Sequence, residues 1–404
     1  MGMYGGYKQA NNFITLFRST PLDFKKLLHK EIERCKEEVL IPRVFIDIRG
    51  AFTNIHDKNG KEMCSNFLKK DIPAYSREVI QIVNNWCRIF QQEGLTPVIV
   101  PFGEHGSSSY HYRIAENYKA NRVKAAMLDC GEELNDVARS YIATELKNLD
   151  WIFSTKGTNV CSLISENLEF DAAVHLITSN FAYQEYDNPY GESYKRKYLN
   201  IILSKDKDFA QCLSTDTIQI TKKAKDGYVL VKEENAHSVL MKMKEEHFVP
   251  ARYMNLALAM IGDASDGYPG ISGCGEVAAG EFLNKFFPVL DKIPAKNNFK
   301  KFRSLMKYDF DDKIFLKIKK LYMKSKQAFF KSYCLADFET LCGYEKHKDL
   351  MQVHLDKYKK VIFSEEISET QLIEKRNFLS GKFKTRYKMI DAATFFNIIV
   401  NTEK

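Results

Sequence analysis

RVFIDIRG, residues 43–50, and TPVIVPFGEHG, residues 96–106, are the two stretches on which the fold turns. In the first, Val44, Phe45 and Ile46 form a short apolar run that stops on Asp47 ahead of Gly50. A short β-branched and aromatic run ending at a turn signal reads as a buried strand. The second stretch repeats the pattern, with Glu104 just past the run. Between them, SREVIQIVNNWCRIFQQEG (76–94) carries apolar residues at helical spacing and stops at Gly94. Strand, helix and strand in that order make a βαβ unit, which implies a parallel sheet.

Downstream, NVCSLISENLEF (159–170) reads as a third strand leading into a helix, DAAVHLITSNF (171–181). YLNIILSKDKDFAQCL (198–213) reads as a fourth strand, then a loop and another helix. TIQITKKAKDGYVLV (217–231) reads as a hairpin turning at Asp226-Gly227. ARYMNLALAMIG (251–262) is helical and runs into GDASDGYPGISGCGEVAAGEFL (262–283), the most distinctive segment. The expected organisation is a helical extension over 1–40, an α/β domain over 41–262, a glycine-rich helical hairpin over 263–300 and a basic helical region over 301–404. The fold class expected is α/β, with a mixed, mostly parallel sheet flanked by helices.

The composition of the 404 residues, 45% hydrophobic and 28% charged, is that of a globular protein, and no apolar run reaches the ~18 residues of a membrane span. The start, MGMYGGYKQANNF, fits neither a secretory nor a myristoylation signal. Nine cysteines lie scattered without a CxxC pair, which argues against zinc and disulfides and for a reducing cytoplasm. Charge is unevenly placed. Residues 285–331 hold fourteen Lys and Arg against four Asp, a local excess of ten that exceeds the net +8 of the whole chain. A basic stretch beside a slightly acidic remainder suits a polyanion partner and a metal pocket.

In an open parallel sheet, ligands bind beyond the carboxyl ends of the strands. Asp47, Glu104, Asp206 and Asp208 all sit where an expected strand gives way to a loop. Glu169 and Asp171 open the helix after the third strand. One such acid reads as a turn or helix cap. Several together repel one another and call for a counter-cation. Mg²⁺, which takes carboxylates and waters, fits better than zinc, which wants His or Cys.

YKANR (118–122), SKDKDF (204–209) and GDASDGYPGISGCG (262–275), in this order and spacing, resemble the 5′→3′ exonuclease and flap endonuclease family, the bacterial and bacteriophage branch most of all, over residues 43–285. The resemblance implies a PIN-like nuclease fold with a helical arch over about 105–155 and a helix–three-turn–helix element. It implies that Asp47, Glu104, Glu169, Asp171, Asp206, Asp208, Asp263 and Asp266 hold two Mg²⁺ ions, with Mn²⁺ able to substitute. Glu104 stands where the family usually has Asp, and Ala172 replaces the last acid of its E-A-D-D helix start. At the base of the arch, Lys119 and Arg122 would grip the scissile phosphate and Tyr118 would stack on a base, with Arg113 a further phosphate contact. EELNDVARSYIATELKNL (132–149), with Leu134, Val137, Tyr141, Ile142 and Leu149 on one face, would be the arch helix lying over the site.

The hairpin residues Gly270, Ile271, Gly273 and Gly275 would offer backbone amides to duplex phosphates, and in the family the turn often holds a monovalent cation such as K⁺. Val277 stands where the family often has Lys. The activity implied is hydrolysis near the 5′ ends of flapped, nicked or gapped DNA, and of RNA–DNA hybrids, in replication or repair, with replication proteins as further partners. Two rivals stand beside it: a PIN-like RNase, against which the glycine hairpin argues, and a branched-DNA-binding protein with weakened catalysis, which Ala172 keeps open.

Overall fold

The computed structural model describes residues 21–48, 76, 79–104, 109–115, 118, 132–165, 171–187, 193–223, 227–264, 266–364 and 367–383. Helices α1 (Pro21–Leu27) and α2 (His29–Glu37) lead into β1 (Ile41–Asp47). Helix α3 (79–91) precedes β2 (Val98–Glu104). Helices α4 (Ser109–Ile114) and α5 (Glu132–Ile152) follow, then β3 (Leu163–Ser165), α6 (Asp171–Asn180), β4 (Tyr183–Asp187) and β5 (Ser193–Leu203). A 3₁₀ helix at Lys207–Cys212 precedes β6 (Thr217–Lys223), β7 (Gly227–Val231) and α7 (Ala236–Val239). The chain continues through α8 (Met254–Ile261), α9 (Glu276–Lys292), α10 (Asn298–Leu305) and α11 (Lys313–Ala336). It closes with α12 (Phe338–Gly343), α13 (Glu345–Ile362) and α14 (Glu369–Phe383).

The sheet runs β3-β2-β1-β5-β6-β7, with β4 paired to β5. The pairs β2–β3, β1–β2, β1–β5 and β5–β6 are parallel, while β4–β5 and β6–β7 are antiparallel. The sheet is therefore mixed and mostly parallel, as expected. β1 alternates faces, because successive side chains of a strand point to opposite sides. Val44 and Ile46 enter one core with α1–α3 and the end of α5, and Phe45 enters another with α6, α12 and α13. Burial on both faces explains why the first two strands read as apolar runs and not as alternations.

Packing ties the expected regions together. Phe24, Leu28, Ile32 and Cys35 belong to the same core as Val44, so α1 and α2 are part of the sheet domain. Helix α11 shares a core with α8 and α9, so the hairpin does not end at residue 300. Helix α13 returns to the sheet, where Tyr358 meets Arg43. The Arg43 guanidinium is fully buried, 4.1 Å from the Tyr198 ring centroid, and donates to Asn200 Oδ1 at 2.7 Å and to the Tyr358 hydroxyl at 3.2 Å. These hydrogen bonds and aromatic faces offset part of the cost of a buried cation, whose Nη2 finds no hydrogen-bond partner among the described residues. No helix among the described residues is long and apolar enough to cross a membrane.

Candidate active site

Parallel pairing brings the carboxyl ends of β1, β2, β3 and β5 to one edge. Asp47 is the last residue of β1 and Glu104 the last of β2. Register sets Asp47 beside Phe102, so Glu104 stands two residues further along. At the rise of a parallel strand that offset is about 7 Å. Asp171 opens α6, while Glu169 lies outside the described residues.

The loop after β5 is organised by hydrogen bonds. The Ser204 hydroxyl donates to Asp47 Oδ2 at 3.0 Å and accepts from the Asp206 amide at 3.1 Å. Asp206 caps the following 3₁₀ helix, its Oδ1 accepting from the Asp208 amide at 3.0 Å. Gln219 on β6 donates to the carbonyls of Ser204 and Asp206, at 2.9 and 2.8 Å. The S-x-D-x-D pattern thus does two jobs: its serine joins two strand ends, and its first aspartate sets the turn that aims the second.

Asp206, Asp208, Asp263 and Asp266 come together. Burial, then the charges of Asp206 and Asp266, hold the Asp208 carboxyl well above the usual carboxylate range, with Lys207 pulling the other way. The Lys207 ammonium lies 2.8 Å from Asp263 Oδ2. Burial works to lower the Lys207 pKa, but the Asp263 hydrogen bond and the charges of Asp263, Asp208 and Asp206 outweigh it and raise it. Lys207 is a site residue that sequence reasoning missed. Its only signal was its place between two aspartates.

Among the described residues, no three His, Cys, Asp or Glu side chains stand close enough to enclose a metal ion. The donors nonetheless fit a hard divalent cation in chemistry. They are carboxylates, Asp206 and Asp266 press on Asp208, and Lys207 supplies Asp263 with countercharge of the kind an ion would bring. Ala172, where the family pattern has an acid, is buried in the same core as Phe209 and Phe338, and its carbonyl accepts from the Cys342 thiol at 3.5 Å. His175, one turn on along α6, is held below the usual histidine range by burial.

The arm and hairpin differ from expectation at several residues. Tyr118 is 1% exposed, stacked on His111 at 4.5 Å and facing Tyr268 at 6.1 Å between ring centroids. It packs the chain just after α4 against the turn before α9, and its ring is buried between His111 and Tyr268. Lys119 and Arg122 lie outside the described residues. The Arg113 guanidinium donates to the Tyr344 hydroxyl at 2.6 Å, which fastens α4 to the start of α13. In α5, Leu149 is buried, and the side chains at 134, 137, 141 and 142 are outside the described set.

Gly270 and Ile271 are buried, and their amides are used inside the protein. Gly270 N donates to Ser332 Oγ at 2.9 Å and Ile271 N to the Met260 carbonyl at 2.8 Å. Ser272 N donates to Ser325 Oγ at 3.2 Å, so two serines of α11 pin the turn. Gly273 and Gly275 are exposed, and Gly275 is the N-cap of α9. The outward part of the turn is therefore Gly273 to Gly275, and Gly270 serves a close crossing of backbone.

No family model and no curated protein matches the sequence. Solved structures similar to this chain include the T5 D15 protein co-crystallised with metal ions, at TM-score 0.48 and 14% identity, covering 78% of this chain and 99% of that one. Another is T5 5′-exonuclease with divalent zinc bound, at TM-score 0.47 and 15% identity, covering 78% and 98%. A third is the catalytic core of Rad2 in complex with DNA substrate, at TM-score 0.39 and 13% identity, covering 90% and 94%. At this identity and superposition the likeness carries no inference about chemistry, which rests on the residues described above.

Proposed function

We propose that this chain is a divalent-metal-dependent 5′ nuclease. It hydrolyses phosphodiesters near the 5′ ends of flapped, nicked or gapped duplex DNA, and of RNA–DNA hybrids, in replication or repair. The observation that carries the reading is the crowding of Asp206, Asp208, Asp263 and Asp266 beyond the central strand, joined to Asp47 through Ser204.

Asp47, Glu104, Glu169, Asp171, Asp206, Asp208, Asp263 and Asp266 are the residues that would hold two Mg²⁺ ions. The ions would supply Lewis acidity towards the phosphate oxygens. The chain supplies placement. Ser204 fixes the Asp47 carboxylate, and Gln219 fixes the two carbonyls that shape the Asp206 turn. A rigid first layer of this kind needs no reorganisation as charge develops on the phosphate. Lys207, turned from Asp263, has the charge to meet a phosphate oxygen. Lys119 and Arg122, following the Tyr118 brace, are proposed to grip the scissile phosphate. Gly273 and Gly275, with the N-terminus of α9, suit duplex backbone contacts that carry no sequence preference.

The test uses labelled 5′-flap, nicked and RNA-primed duplexes, with single-stranded RNA as comparison. Cleavage of the duplexes in Mg²⁺, its loss in chelator and its loss in Asp206→Ala are expected. Intact duplexes in Mg²⁺ with a folded protein would remove the enzyme reading, and cutting in chelator would remove the metal. Preference for single-stranded RNA would favour a PIN-like RNase.

A further inference from the structure

The first half of α11 runs beside the glycine turn. Ser325 Oγ accepts from Ser272 N at 3.2 Å, and the end of the Leu321 side chain lies 3.5 Å from the place a Cβ on Gly273 would take. The charge of Lys317 is felt at the Cys274 thiol. Residues 313–324 are helical up to a break at Ser325, where φ is −121 and ψ 18. Within that stretch Lys313, Lys317, Lys320 and Lys324 recur at intervals of four, three and four. At 3.6 residues per turn they fall within an arc of about 60°, along about 16 Å of helix. All four are exposed, while Ile314, Ile318 and Tyr322 turn into the core shared with α8 and α9.

Charge on this arc is of one sign. The helix contains no Asp or Glu between 313 and 336. Of the acids just ahead of it, Asp309 pairs with Lys319 at 2.7 Å, and Asp312 caps the helix and pairs with Lys285. Among the described residues, none of the four lysines of the arc forms an ion pair. Like charges three and four residues apart destabilise a helix, and a merely solvated helix interleaves its signs. A row of unshared cations therefore suits a polyanion. Its place selects which one. The row continues past Gly273 and Gly275, which on the nuclease reading meet the backbone of duplex DNA with the N-terminus of α9.

We propose that Lys313, Lys317, Lys320 and Lys324 grip the phosphates of that same duplex, extending its track from the glycine turn along α11. The inference rests on the nuclease reading for its ligand. Phosphates of one strand advance about 3.4 Å per base pair along the duplex axis, so the row is as long as about five base pairs. Lysine ammoniums are point charges that meet phosphate oxygens without reading bases. The grip therefore adds affinity and salt dependence but no sequence preference. None of the four lysines belongs to the carboxylate edge, so binding can be weakened while the site of hydrolysis stays intact.

The test measures the anisotropy of a labelled duplex with the full-length protein in chelator, across a salt series, and reads 5′-flap cleavage in Mg²⁺ in parallel. Log affinity should fall linearly with log salt, by about 0.9 for each phosphate contact. The variant K317Q/K320Q/K324Q should bind at least about tenfold more weakly at ~0.1 M salt, with a slope smaller by about 2–3, for two unrelated duplex sequences alike. Each single variant should take about 1 off the slope, which keeps the inference testable should the triple variant fail a circular-dichroism check of its fold. K26Q/K30Q/K359Q makes the same charge change on exposed lysines of α1, α2 and α13 and should bind as the parent does. Flap cleavage by the parent, with equal duplex affinity and slope in the row variants, overturns the grip and leaves the nuclease reading standing. Lysine-dependent duplex affinity without flap cleavage supports the grip and removes the nuclease reading. Equal losses in the row and control variants, a loss confined to single-stranded DNA, or a parent that does not bind duplex all overturn the proposal.

Discussion

Alanine at Gly270 should destabilise the protein more than alanine at Gly273 or Gly275. Gly270 has φ +64, a region that costs an L-residue roughly 1–2 kcal/mol. A Cβ there would lie 2.6 Å from the Ile261 carbonyl oxygen and 2.8 Å from the Gly262 nitrogen. Both are backbone atoms, with no side chain to swing away, and forced overpacking of this kind adds about 1–3 kcal/mol. The sum for Gly270→Ala is about 2–5 kcal/mol. At Gly273, φ is +82 but the nearest atom is the flexible end of Leu321 at 3.5 Å, so strain alone remains, about 1–2 kcal/mol. At Gly275, with φ −92, nothing lies within 4 Å of the added Cβ, and the cost should stay within about 0.5 kcal/mol. Urea denaturation midpoints of the three variants read this order directly. Gly270→Ala within 0.5 kcal/mol of the parent, or Gly275→Ala as damaging as Gly270→Ala, would refute the division into a structural crossing and an outward turn.

Three further outcomes follow from buried charge. Asp208→Asn should abolish cleavage yet raise metal-free stability at neutral pH. The folded-state pKa of Asp208 is raised, so its ionisation opposes folding, and the advantage of Asn should shrink as pH falls towards 4; a variant no more stable at pH 7 in urea with chelator would sink the argument. Lys375, buried with its Nζ 2.8 Å from Thr155 Oγ1, is pushed down to about 8 by burial and by Lys357. The parent should therefore gain stability as pH rises from about 8 to 10.5, whereas Lys375→Met should be flat there and more stable at pH 7 by about 1–3 kcal/mol; parallel pH profiles would contradict this. Ala172→Asp should not create a stronger metal site, because it places a carboxylate in a core with Phe209 and Phe338; a loss of several kcal/mol is expected by calorimetry, and a stable variant with added Mg²⁺ stoichiometry would reverse the reading.

The strands that carry the acids were legible because both their faces are buried. Val44–Ile46 and Val98–Val100 are apolar without a break, and a run of that kind ending on an acid has few other readings. Strand β4 was missed because it pairs only with the early part of β5, where Tyr183, Glu185, Tyr194 and Lys195 lie in solvent. Burial left no pattern there for the sequence to show. The segment after Asp206 was read as a loop and a helix and is a 3₁₀ helix, because the Asp206 side chain takes the Asp208 amide at once. Tyr118, Gly270 and Lys207 were misjudged or overlooked for a common reason. Their partners are Tyr268, Ile261 with Ser332, and Asp263, and apart from Ile261 those lie far along the chain. Local spacing identifies which residues could do chemistry but not which of them the fold spends on its own cohesion.

The two sides of the carboxylate edge are unequal, and this bears on how the parts would act together. Towards β2 and β3, among the described residues, Glu104 stands beyond the level of Asp47 and Ala172 lies in the core. Beyond β5, Asp206, Asp208 and Asp263 act on Lys207, and Asp266 adds to the charge felt by Asp208. On the proposed reading, a cation would gain most where it relieved most repulsion, which would set the stronger ion site on the β5 side, in competition with Lys207 for Asp263. Asp263 also forms a two-way backbone bridge with Tyr268, whose ring faces Tyr118 at the root of the arm. A shift of Asp263 from lysine to metal would thus pull on the residue that closes the glycine turn and on the residue that precedes Lys119. A packed chain of that kind transmits displacement only if its elements have two arrangements to choose between. If the proposed metal binds, the exchange of Lys207 for an ion would supply one such choice, where Asp263 meets the turn before α9 and Tyr268 faces Tyr118.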